Sequence, residues 1–111
     1  MKEEYLRKIN ELYNEISNMQ SLHQKPYSLE YLVKQILDLI NQLNEIDDGE
    51  HYSMIHSALY HTLGKEVYYA DYSYKMSIKK NAAKVRQHEY KKDLDNAIRQ
   101  IHYDIFSLLE K

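Results

Sequence analysis

The chain has no cysteine and no tryptophan, and only two glycines and one proline in 111 residues. Without Cys there is no disulfide, no thiolate metal site and no cysteine nucleophile. That usage fits a reducing compartment, and a cytoplasmic location is expected. With so little Gly and Pro there are few places to turn. Leu, Ile, Lys, Glu, Tyr, Asn and Gln dominate instead, so long helices with short joints are expected and an all-β fold is excluded. No apolar run approaches membrane-spanning length, and Met1-Lys2-Glu3-Glu4 lacks the basic start and apolar centre of a secretory signal. Neither export nor a membrane partner is expected.

Catalytic signatures are missing as well. There is no Gly-x-Ser-x-Gly elbow, and the two glycines lie fifteen residues apart, which leaves no phosphate cradle. The carboxylates Glu11, Glu15, Asp38 and Glu45 fall on helix exteriors, where such groups ordinarily confer solubility. An enzyme is not expected, nor a cofactor. Six histidines invite a metal site, especially His51, His56 and His61. Steps of five residues rotate by about 140° on a helix, however, so these imidazoles diverge, and no Glu-x-x-His pair of the di-iron kind is present.

What is present is amphipathic periodicity. Tyr5, Ile9, Leu12, Ile16 and Met19 recur at steps of four and three, beside Leu6 and Tyr13, and predict a first helix ending near His23. Pro26 marks a turn over 24–28, with Ser28 available as a cap. Leu29, Leu32, Ile36, Leu39, Leu43 and Ile46 predict a second helix that Val33, Leu37 and Ile40 make the most apolar, hence central. Asp47-Asp48-Gly49 supplies a stop. A third segment, from about Tyr52 to about Arg86, reads as one long helix interrupted only by Gly64, which a helix can either tolerate or bend at. Its inward face reads Ile55, Leu59, Leu63, Val67, Ala70, Tyr74, Ile78 and Val85, with Ala58, Ser73 and Ser77 allowing close approach. A last helix carries Tyr90, Leu94, Ile98, Ile101, Ile105 and Leu108, with Asp93 or Asp95 in its first turn. The predicted fold is an all-α antiparallel bundle of about four helices in one domain covering residues 1–111. The third helix would overhang its neighbours, so a homodimer is expected.

Charge is uneven. Residues 1–50 carry five basic and ten acidic side chains, whereas 51–111 carry ten and seven. Lys75, Lys79, Lys80, Lys84, Arg86, Lys91 and Lys92 face Glu89 alone between Ser73 and Lys92. Twelve of the thirteen aromatic residues are Tyr. Tyr5, Tyr13, Tyr74 and Tyr90 fall on core stripes, while Tyr68, Tyr69 and Tyr72, together with Tyr52 and Tyr60, read as exposed contact area. On a helix Lys65, Tyr68, Tyr72, Lys75 and Lys79 form one line of alternating ammonium groups and phenol rings. Lys65, Tyr68, Tyr69, Tyr72, Lys75, Lys79 and Lys80 are therefore the candidate partner-binding residues.

The stretch Ala70-Asp71-Tyr72-Ser73-Tyr74-Lys75, running through a basic helix to Lys84 and on to a final amphipathic helix, resembles small all-helical accessory proteins of temperate phages of low-GC Gram-positive bacteria. The resemblance covers about residues 65–109. It implies an accessory that binds and redirects a host protein, a defence enzyme included, in the host cytoplasm, or one that assists replication or recombination. A non-catalytic protein-binding module is the leading expectation. Nucleic-acid binding through residues 65–92 is the alternative, and capture of a small anionic nucleotide by an oligomer is a third.

Overall fold

A computed structural model describes residues 2–22, 29–47, 50–79, 81 and 83–109. The expected turn at 24–28, the Ser28 cap and the Asp48-Gly49 stop lie outside the described residues. Helices α1 (Lys2–Leu22), α2 (Leu29–Ile46), α3 (Glu50–Thr62), α4 (Tyr68–Ser77) and α5 (Lys84–Leu109) follow in order, and a π-helical turn, Leu63–Val67, joins α3 to α4 as a single long element. The bundle measures 50 × 21 × 19 Å. Among the described residues there is no strand, and no helix is long and apolar enough to cross a membrane.

Pairings along the helices fix their directions. Lys2, at the start of α1, bonds Asp47 after the end of α2 at 2.7 Å, so these two run antiparallel. That hydrogen bond holds the Asp47 carboxyl below its ordinary range and the Lys2 ammonium above its own. Tyr13 Oη lies 2.9 Å from His102 Nδ1, while Met19 lines a small void with Tyr90 and Leu94, so α1 also opposes α5. Thr62 pairs with Asp104 and Ser73 with Asp93, which sets α3 and α4 against α5 in the same sense. Each helix of this ring packs on two neighbours, with the long element and α1 diagonal to one another.

The core is the one the periodicity marks. Ile9, Ile16, Leu32, Ile36, Leu43, Ile55, Leu59, Val67, Ile98, Ile101 and Ile105 are buried from all four sides, and α2 is apolar enough to be covered on two faces. Leu39 is half-buried, whereas Ile46, at the end of α2, is exposed. Among the described residues two polar side chains, Thr62 and Asp104, are buried with these. The Asp104 carboxylate accepts from the Thr62 hydroxyl and, at 3.0 Å, from Gln100 Nε2, so the carboxylate is not left dry.

The end of the long element falls earlier than its sequence predicts. It stops at Ser77 rather than near Arg86, and α5 begins at Lys84. No glycine is needed. The Ser77 hydroxyl donates to Tyr74 O at 2.7 Å and the Ile78 amide donates to the same oxygen at 3.2 Å, closing the last turn. Asn81 then takes φ 73°, the left-handed geometry that Asn tolerates best among residues with a Cβ. Ile78 and Val85, expected inward, are therefore 60% and 65% exposed at a tip that projects past the core. Asp93 and Asp95 fall well beyond the first turn of α5, and Asp93 instead takes the Ser73 hydroxyl.

Candidate functional site

The long element presents a second face, away from the core, and the π-turn decides what lies on it. An α-helix rotates about 100° per residue, so Tyr68 and Tyr72 would stand about 80° and 120° around the axis from Tyr60 in a regular helix. A π-turn absorbs about one residue of rotation, and the same rings then fall within about 20° of Tyr60. The same correction keeps Val67, Ala70 and Tyr74 within about 40° of Ile55, where a regular helix would let them drift by about 60° to 120°. One bulge thus holds both faces in phase.

Tyr60, Tyr68, Tyr69 and Tyr72 are all more than half exposed. The Tyr68 and Tyr72 rings are within 12° of parallel with centroids 6.5 Å apart, and Tyr69 meets Tyr68 edge-on at 5.7 Å. His56 stacks on Tyr60 at 6.2 Å, continuing the aromatic surface toward the start of α3.

Between these rings lies a concavity of about 370 Å³, lined by Tyr60, Leu63, Gly64, Tyr68, Asp71, Tyr72 and Lys75 of the long element and by Glu30 of α2. Asp71 anchors the two helices at this wall. Its Oδ1 and Oδ2 accept from the Leu29 and Glu30 amides, each at 3.1 Å, so one carboxylate satisfies two free N–H groups in the first turn of α2. Burial pushes the Asp71 carboxyl up, and Glu30 adds to this, against the two amides and the Lys75 ammonium. Glu30 in turn pairs with Lys34 at 2.9 Å on its own helix.

Of the candidate residues, the structure brings Tyr68, Tyr72 and Lys75 to this groove. Tyr69 and Lys65 are exposed beside it, and Lys79 lies exposed in the turn after α4. Lys80 lies outside the described residues. Tyr52, expected on the exposed surface, is only 1% accessible. It lies three residues before Ile55, on the inward side of α3, with the Lys2 ammonium 5.8 Å from its ring centroid. Glu30, Gly64 and Asp71 are groove residues that no motif marks. A signal did exist in the run Ile55, Leu59, Leu63, Val67: three consecutive steps of four drift about 40° each and call for underwinding near Gly64.

Other chemistry is sparse. Glu11, Glu15 and Asp38 line a crease of about 350 Å³ between α1 and α2, together with Lys8, Gln35 and Gln42. His51 tilts over Tyr52 at 4.1 Å. Among the described residues no group of three or more His, Asp or Glu is placed to hold a metal ion. The buried Oε2 of Glu66, inside the π-turn, has no hydrogen-bond partner among the described residues. Comparisons with protein-family models, with curated proteins and with solved structures gave no match.

Proposed function

We propose that this chain is a non-catalytic helical module that binds another protein through the tyrosine face of its long element, of the kind a phage accessory uses to modulate a host enzyme or complex. The observation that carries the proposal is the alignment of Tyr60, Tyr68 and Tyr72 around one concavity by a π-turn, on rings that the core does not use. Tyr offers large contact area at low side-chain entropy, the property of interface anchors. The test is capture of a partner from a host lysate, followed by titration of the partner so identified. Replacing Tyr68 and Tyr72 with Ala should weaken the complex by about 2 kcal/mol or more for each ring. Replacing Lys75 and Lys79 should mainly slow association. Capture that is indifferent to the two tyrosines would overturn the proposal.

Nucleic acid is a second reading, favoured by the tip: every residue from Lys84 to Glu89 is exposed, and Lys79, Lys91 and Lys92 are exposed beside them. In that case the lysine changes would dominate, and each lost phosphate contact would flatten the salt dependence by about 0.7 to 0.9. A small anionic nucleotide suits the groove poorly, since Glu30 and Asp71 stand in its walls. Self-association belongs to the same proposal, through Ile78 and Val85 at the tip. Light scattering at micromolar concentration should give about twice the chain mass, and charged replacements at both positions should return a monomer.

A further inference from the structure

Gly64 is not required by the fold around it. Its φ is not positive, and a Cβ built on it meets nothing within 4 Å. Glycine is the poorest helix residue after proline, so at this position it destabilises the long element without relieving any contact in it. What it keeps open is the groove bounded by Tyr60, Tyr68, Tyr72, Asp71, Glu30 and Lys75. A volume of about 370 Å³ sits at the small end of ligand sites, enough for one side chain and its water.

We propose, building on the protein-binding function above, that this groove receives a single arginine side chain of the partner protein. The walls combine what a guanidinium needs. The Tyr68 and Tyr72 rings are nearly parallel and Tyr60 lines the same groove, which offers phenol faces for a planar cation to stack on. Glu30 and Asp71 offer carboxylate oxygens for its forked N–H donors. Both Asp71 oxygens already accept one amide each, and each retains a further lone pair. Burial raises the Asp71 carboxyl, and the neighbouring Glu30 raises it by more than Lys75 lowers it. Lys75 stands in the same wall and repels a second cation, so the groove selects one arginine rather than a basic run. A lysine would supply charge without the plane or the fork, and an acidic side chain would meet two carboxylates.

The probe is the blocked peptide Ac-Gly-Arg-Gly-NH2, titrated into the full chain carrying ring-labelled tyrosine and followed by NMR. Saturable shifts are expected at Tyr60, Tyr68 and Tyr72, with the exposed rings of Tyr31 and Tyr103 unmoved. The matching lysine and citrulline peptides should bind about tenfold more weakly. Gly64→Leu, which fills the groove from its floor, should weaken the arginine peptide by about tenfold at an unchanged or higher melting temperature. Should that variant melt early, Tyr60→Ala supplies the same reading from a ring outside the core. Equal binding of the citrulline peptide, or arginine binding untouched by filling the groove, overturns the inference. So does a DNA oligonucleotide that shifts these rings while the arginine peptide does not. Partner capture that survives Gly64→Leu but fails in Tyr68→Ala with Tyr72→Ala would sink the arginine site and leave the protein-binding function standing.

Discussion

The two faces of the long element, Glu50 to Ser77, are built from the same stretch of chain and answer to different demands. Inward, Ile55, Leu59, Val67 and Ala70 are at most 1% exposed. Outward, Tyr60, Tyr68, Tyr69 and Tyr72 are each more than half exposed, and two of them stack on one another rather than on the core. The inward side chains are held by the shape of the two neighbouring helices, α2 and α5, so their identity is a matter of stability. The outward rings contribute little to the fold, so the choice of tyrosine at these exposed positions calls for a reason outside it.

The contrast would break most visibly at Leu59. Truncating this fully buried side chain to Ala should cost about 2 to 5 kcal/mol of unfolding free energy, read from denaturant melts. Removing Tyr68 and Tyr72 together, a far larger loss of atoms, should change stability by no more than about 0.5 kcal/mol per site. If the tyrosine pair destabilised as Leu59 does, the outward face would be structural after all.

Asp71 lies between the faces and sharpens the distinction. Replacing it with Ala releases two amides of α2 and should cost about 0.5 to 2 kcal/mol. The sign of its pH dependence is set by its raised carboxyl: the fold holds the proton more firmly than the unfolded chain does. Its contribution is therefore full below the unfolded value near 4 and falls as pH rises through the raised one. The stability gap between the natural chain and Asp71→Ala should narrow over that range. A gap that widened instead would mean that the two amides outweigh burial.

Gly64→Ala should move in the opposite direction. With no contact to disturb and no left-handed backbone to strain, the added methyl should stabilise the chain by about 0.4 to 1 kcal/mol. The smallest effect is spectroscopic. Burial raises the Tyr13 and Tyr90 phenols, so an ultraviolet titration should show these two ionising above the ordinary phenol range. The stability they confer is complete below about pH 10 and lost as pH rises through their raised values.

The inward face was largely legible in the sequence because burial repeats with the helix. Leu32, Ile36, Leu43, Leu59 and Ile101 were each marked by spacing alone, and Tyr68, Tyr69 and Tyr72 by their distance from that stripe. Periodicity weakens where local chemistry intervenes. Ser77 and Asn81 end the long element through a hydroxyl bond and one left-handed residue, neither of which interrupts the apolar rhythm, and so Ile78 and Val85 read as core. The groove was less legible still. Asp71 meets Leu29 and Glu30 across about forty residues of chain, and no local pattern announces such a pair.

The π-turn also bears on how this chain can change length. Deleting one residue from an α-helix turns everything beyond it by about 100°, which would carry Val67 and Ala70 out of the core. Between Leu63 and Val67 the winding already holds one residue more than an α-helix needs. Removing the exposed Lys65 would let that turn relax to α-helix with both faces still in phase, and the shortened chain should melt much as the parent does. Elsewhere in the same helix a single deletion should unfold it. Descendants of this sequence that differ in length within the long element should therefore differ here, by one residue, and keep their tyrosines in line.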